Sequence, residues 1–170
     1  AERDRPGSPL AQTVGRGRSA GRLNEKAVIL AAGLGTRMRR ARPGVELSGA
    51  QRSVAGRGIK AMIPVGRPFL DYVLTGLAAA GIRYVGLVVG PEHDEIRSYY
   101  TREHPPSRLR IQFATQERPR GTADAVLAAE PFAAGEPVLT LNADNYYPRA
   151  AIEALRRLPR AGLAGFRRSG

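Results

Sequence analysis

From Lys26 onward, short blocks of continuous apolar residues alternate with stretches in which apolar positions recur at helical spacing. The continuous blocks predict strands over 26–32, 84–89, 110–114 and 138–142, with 163–166 opening a fifth. The periodic stretches predict helices over 69–80, 93–100, 122–129 and 150–158. Gly81 stands where a left-handed residue would end the first of these helices, and Thr122 stands where a hydroxyl would cap the third. Runs such as Val28-Ile29-Leu30 carry no polar residue on either face, the mark of strands covered on both sides. Strand and helix in strict alternation predict an α/β fold with a doubly wound, mostly parallel sheet. Its ligand loops then lie at the carboxyl ends of the strands.

Two stretches break this rhythm. Residues 1–24 are rich in Arg, Gly, Ser and Pro and poor in large apolar side chains, so they are expected to form a disordered tail before a single domain over 25–170. Residues 39–58 carry Arg39, Arg40, Arg42, Arg52 and Arg57 among glycines and a proline. A loop of that length is either a lid or a solvated insertion.

Composition narrows the function classes. The chain has no cysteine, which excludes disulfides and thiolate metal sites. His93 and His104 stand singly in polar surroundings and are expected at the surface. No apolar run reaches membrane-spanning length and no secretory leader is visible, so no membrane partner is expected and the cytoplasm is the expected compartment. The formal charge is +12, and all basic residues except Lys26 and Lys60 are arginine. They are spread over tail, loops and helices without interleaved aromatics, which argues against specific nucleic-acid binding and suits a polyanionic small molecule.

Four segments carry candidate chemistry. Gly33-Leu34-Gly35-Thr36-Arg37 follows the first strand. Its glycines permit positive-φ turns and close backbone approach to an anion, and Arg37 offers a planar fork for phosphate oxygens. Lys60 precedes the extended segment Ala61 to Val65; its flexible ammonium suits charge that moves during phosphoryl chemistry. Gln116 to Ala125 runs from a strand into a helix start, where the Gln116 amide can donate to and accept from a base edge and Gly121 admits a flat ligand. Asp144 ends the fourth strand, where one carboxylate with substrate phosphates could hold Mg²⁺. Each segment also has an ordinary structural reading: a tight turn, a solvated lysine, a capped helix start with Asp124 serving the macrodipole, and an Asx turn.

In this order the segments resemble the sugar-1-phosphate nucleotidylyltransferases, the family that forms nucleotide sugars. The resemblance covers Lys26 to about Phe166. It rests on G-x-G-T-R-M, K-A-M-I-P-V, G-T-A-D-A and the strand-end aspartate. It implies a Rossmann-like sheet of the nucleotide-diphospho-sugar transferase type, ending before a C-terminal half that would add a second metal aspartate and the sugar pocket. It also implies that Ala32, Gly33, Gly35 and Thr36 wrap a triphosphate with Arg37 and Lys60 acting on it, that Gln116, Gly121 and Thr122 hold the nucleotide, and that Asp144 binds Mg²⁺. The implied partners are a nucleoside triphosphate and a sugar 1-phosphate, with a second copy of the chain as a further candidate. Two alternatives stay open: a nucleotide-binding module without catalysis, and a transferase acting on a cofactor or polyol phosphate.

Overall fold

A computed structural model describes residues 23–33, 49, 54 and 59–165. In chain order the elements are β1 (Lys26–Leu30), β2 (Pro64–Val65), β3 (Arg67–Pro68), α1 (Phe69–Ala79), β4 (Tyr84–Val89), α2 (Asp94–Ser98), β5 (Arg110–Thr115), α3 (Thr122–Ala128), α4 (Glu130–Ala133), β6 (Leu139–Asn142) and α5 (Arg149–Leu155). A 3-10 turn at Lys60–Met62 precedes β2, and a π-turn at Tyr99–Glu103 continues α2. The strands β5-β4-β1-β6 form a four-stranded sheet in which every neighbouring pair is parallel. β2 and β3 form a separate small hairpin.

The expected alternation therefore holds, and its physical basis is visible in the side chains. Ala27 and Ile29 of β1, with Val85, Leu87 and Val89 of β4, point into the larger core beneath α1, α2 and α5, where Leu70, Leu77, Ile96 and Ile152 are buried. Val28 and Val88 point to the other face and pack with Ala125 and Ala129 of the α3–α4 segment. Helices thus cover both faces, as the continuous apolar runs require. Gly81, at φ +87, closes α1: its N–H reaches the Ala78 carbonyl and the Ile82 N–H reaches that of Leu77, a paired stop that needs a left-handed residue.

Behind the sheet, Asp71 of α1 accepts hydrogen bonds from Tyr100 (2.8 Å) and Tyr99 (3.2 Å), tying α1 to the π-turn. Burial first, and the Asp71 carboxylate second, hold the Tyr100 phenol protonated far above its ordinary range. Arg156 donates to the carbonyls of Asn24 and Ala80, so the end of α5 grips both the entry to β1 and the end of α1. Asn24 is the last residue of the segment 1–24 expected to be disordered, and it is held by Arg156; residues 1–22 lie outside the described residues, as does most of 34–58.

Several local expectations are corrected. His93 is buried at 2 % exposure, because its Nδ1 accepts the Gly90 N–H at 3.1 Å and so satisfies a backbone donor just past β4. Thr122 is the first helical residue of α3; Gly121 precedes the helix and no side chain caps it. Residues 161–165 form no strand: Leu163 is 87 % exposed and has no ladder partner among the described residues. Gly33 does not adopt a positive φ, and a Cβ there would meet nothing within 4 Å, so the turn itself makes no demand for glycine.

Candidate functional site

The strand order itself locates a crevice. From β1 the chain moves outward through β4 to β5, then returns to the far side of β1 as β6, so the direction of winding reverses between β1 and β6. In parallel sheets of this kind the loops leaving the strands on either side of such a reversal diverge and leave an opening at their carboxyl ends. Here that opening is flanked by Ala31 to Gly33 after β1 and by Ala143 to Asn145 after β6.

Asp144 is held there by its neighbours. The Ala143 N–H donates to the Leu30 carbonyl at 3.1 Å, carrying the β1–β6 pairing one residue beyond the strand, and Ala143 itself is buried. The chain then turns back, and Tyr147 fixes the turn: its hydroxyl oxygen accepts the Asn142 N–H at 2.9 Å and the Asn145 amide at 3.4 Å. Tyr147 packs against the main core, so the Asp144 loop is anchored from below. Tyr147 was not among the residues singled out from the sequence; an aromatic shortly after a strand-end Asn-Ala-Asp is the available signal.

Lys60 reaches the same place from a different direction. Ala61 and Met62, the rest of its 3-10 turn, are buried in the main core and fix the backbone. The side chain runs out to Asp144, with Nζ 3.3 Å from Oδ2 and both side chains about two-fifths exposed. Two predicted site residues separated by 84 positions are thus brought into contact. Ala32 lies beside them but turns its methyl into the smaller core, leaving only backbone to face a ligand. Gly35, Thr36 and Arg37 lie outside the described residues.

The second cluster sits past β5, further along the same rim. Gln116 is 6 % exposed, and its Nε2 donates to the Asp124 carboxylate at 2.8 Å and to the Gly121 carbonyl at 3.1 Å. Gly121 has φ 106 and ψ −176, a region open in practice to glycine alone, and a Cβ would meet nothing within 4 Å. Its face is therefore open to a flat ligand. Thr122 is exposed beside it. Three strand spacings separate β5 from β6, about 14 Å, the scale of a nucleotide laid along the rim.

Among the described residues no group of three or more His, Asp or Glu side chains converges as a metal cage. Asp144 alone fits the habit of Mg²⁺, which accepts one or two protein carboxylates and completes its octahedron with phosphates and water. Among the described residues no helix is long and apolar enough to cross a membrane.

Known proteins resemble this chain in sequence and in fold. The chain is 36 % identical over 144 residues to the bifunctional protein GlmU of Sorangium cellulosum, covering 81 % of this chain and 27 % of that protein. It is 30 % identical over 132 residues to a glucose-1-phosphate thymidylyltransferase of Streptomyces griseus, covering 77 % of this chain and 33 % of that one. The chain thus spans about a quarter to a third of the length of these curated relatives. A UTP-bound UGPase from Acinetobacter baumannii shares the fold, with a TM-score of 0.61 at 22 % identity over 77 % of this chain and 50 % of its own. The nucleotidyl transferase family model matches residues 26–164, which takes in the β1 loop, Lys60, Gln116 to Asp124 and Asp144 in one alignment, and the chain therefore belongs to the nucleotidyl transferase family.

Proposed function

We propose that this protein transfers a nucleotidyl group from a nucleoside triphosphate to a sugar 1-phosphate and releases pyrophosphate. The observation that carries the reading is the meeting of Lys60 and Asp144 at the opening between β1 and β6. One cation and one carboxylate there suit a phosphate chain and its metal. The Streptomyces griseus relative, named for thymidylyl transfer to glucose 1-phosphate, supports the acceptor class.

In the proposed step an oxygen of the sugar phosphate attacks the α-phosphorus, and the bond from that phosphorus to the bridging oxygen of the β-phosphate breaks. The nucleophile is already anionic at neutral pH, so no general base is required and the protein's work is positioning and charge neutralisation. Lys60 neutralises the charge that accumulates on the departing pyrophosphate, with Arg37 acting from the glycine loop. Gln116 and Gly121 hold the base, which sets the α-phosphorus near Asp144. Mg²⁺ held by Asp144 would supply Lewis-acid neutralisation of the α-phosphate and acceptor oxygens.

A panel of nucleoside triphosphates against sugar 1-phosphates, assayed with the full chain for pyrophosphate release with and without Mg²⁺, tests the reading. Release that needs both substrates and Mg²⁺, and that Asp144→Asn removes, is the expected result. Triphosphate binding with no release against any acceptor would favour the non-catalytic binding module.

A further inference from the structure

The Gln116 amide has only one face left to offer. An amide can donate or accept according to how its plane is turned, and in solution the two orientations are equivalent. Here the two acceptors on its Nε2 break that symmetry. Turning the plane over would set Oε1 against the Asp124 carboxylate and the Gly121 carbonyl, placing three oxygens together in a buried position. The repulsion and the loss of both hydrogen bonds hold the amide one way round. No buried side-chain polar atom lacks a partner among the described residues, and no described residue donates to Oε1, so Oε1 is the atom that faces out of the cluster.

We propose that Asp124 is a positioning residue that fixes the Gln116 amide with its carbonyl outward, making the site select bases that offer an N–H at that point over bases that offer a lone pair. The inference rests on the reading that Gln116 faces the base. Uracil, thymine and guanine carry a ring N–H beside a carbonyl, whereas the corresponding ring nitrogen of cytosine and adenine is an acceptor. A fixed acceptor pairs with the first group and opposes the second. The Gly121 carbonyl alone cannot replace Asp124, because a neutral acceptor at 3.1 Å is a weaker lock than a carboxylate at 2.8 Å.

The test compares UTP with CTP and GTP with ATP, by equilibrium binding to the full chain and to its Asp124→Ala and Asp124→Asn variants. The wild type is expected to favour the ring-N–H member of at least one pair by tenfold or more, on the order of what one designed hydrogen bond gives. Asp124→Ala should shrink that preference about fivefold or more, and Asp124→Asn should shrink it as well, because its neutral amide can turn an NH₂ toward Oε1 and no longer holds Gln116 one way round. In the wild type, the Gln116 side-chain NH₂ protons should exchange slowly with solvent, a readout that needs no variant. A merely structural Asp124 would lower affinity for all four nucleotides together and leave the ratios alone. Ratios within twofold of wild type in a folded Asp124→Ala protein, a wild-type preference for CTP or ATP, or fast exchange of the Gln116 amide would each overturn the proposal while leaving nucleotidyl transfer standing. Binding of no triphosphate at all would overturn both.

Discussion

The two ends of the rim are built on opposite physical terms. At the β1–β6 end, Lys60 and Asp144 face each other at 3.3 Å with both side chains about two-fifths exposed. At the β5–α3 end, Gln116 is buried and bonded at 2.8 and 3.1 Å to groups of its own loop and helix. An exposed ion pair of this kind is worth about 0–1 kcal/mol, so its members can exchange partners with little loss. A buried amide deprived of its partners costs about 1–3 kcal/mol, so it stays where it is. On the proposed reading, groups that follow moving charge need the first arrangement, and a group that tells one base edge from another needs the second.

The largest effect that would sharpen this contrast is on turnover. Lys60→Ala is expected to lower the rate of pyrophosphate release by about 10²–10³-fold, the usual result of removing a group that meets charge developing in the transition state. Thermal midpoint should hardly move, because Ala61 and Met62, not Lys60, anchor the turn. A midpoint that collapses in parallel with activity would mean that Lys60 is part of the scaffold, and the contrast would fail at its charged end.

At the other end the expected loss is in stability. Gly121→Ala places an L-residue at φ 106 and ψ −176, which costs about 1–3 kcal/mol of backbone strain. Nothing lies within 4 Å of the added methyl, so the loss comes from the backbone alone and not from a clash. Urea denaturation of wild type and variant measures it. Equal stabilities would show that the loop adopts another conformation freely, and the base end would then be no more fixed than the phosphate end.

The same contrast explains what the sequence made legible. Apolar blocks report burial of whole segments, so β1, β4, β5 and β6 and the parallel winding were readable from residues such as Val28-Ile29-Leu30, and the place of Asp144 on the rim followed from strand order, whereas only the family resemblance implied that Lys60 joins it there. What periodicity does not report is where a single polar group lands. His93 stood in a polar stretch and looked exposed, yet it is buried because the Gly90 N–H takes its Nδ1 as acceptor. Asp124 had the position of an acid serving a helix start, and its bond to Gln116 depends on the turn through Gly121, which spacing alone does not disclose. The short helix α4 was missed because four residues hold too little period to register. The strand expected over 163–166 failed because an apolar run becomes a strand only where a partner edge receives it.

A smaller prediction concerns the scaffold behind both ends. Tyr100 keeps its proton in the folded protein at pH values where the unfolded chain releases it, near 10. The stability this provides is complete below about pH 10 and declines as the pH rises further, since only the unfolded state then gains by losing the proton. Tyr100→Phe should cost about 1 kcal/mol at neutral pH through the lost bond to Asp71, and should show a shallower decline between pH 9 and 11. Urea titrations across that range, compared with wild type, measure both effects. A decline of unchanged slope in the variant would mean that the alkaline sensitivity resides in another group, such as Tyr99 beside the same Asp71.

The smallest expected effect is the stability change in Asp144→Asn. The amide is nearly isosteric and still offers Lys60 an acceptor oxygen, so what is lost is the Coulomb attraction of a pair about two-fifths exposed. That attraction is worth under about 1 kcal/mol and is screened over roughly 8 Å at physiological salt. The loop should also keep its shape, because Tyr147 and the Ala143–Leu30 bond hold it without help from the carboxylate. Denaturation at low salt and at 1 M salt should therefore give a difference from wild type that is small in the first and vanishes in the second. A loss of 2 kcal/mol or more that salt does not diminish would mean that the pair is locked into the fold. Lys60 would then not be free to leave Asp144 for a phosphate, and the phosphate end would be as rigid as the base end.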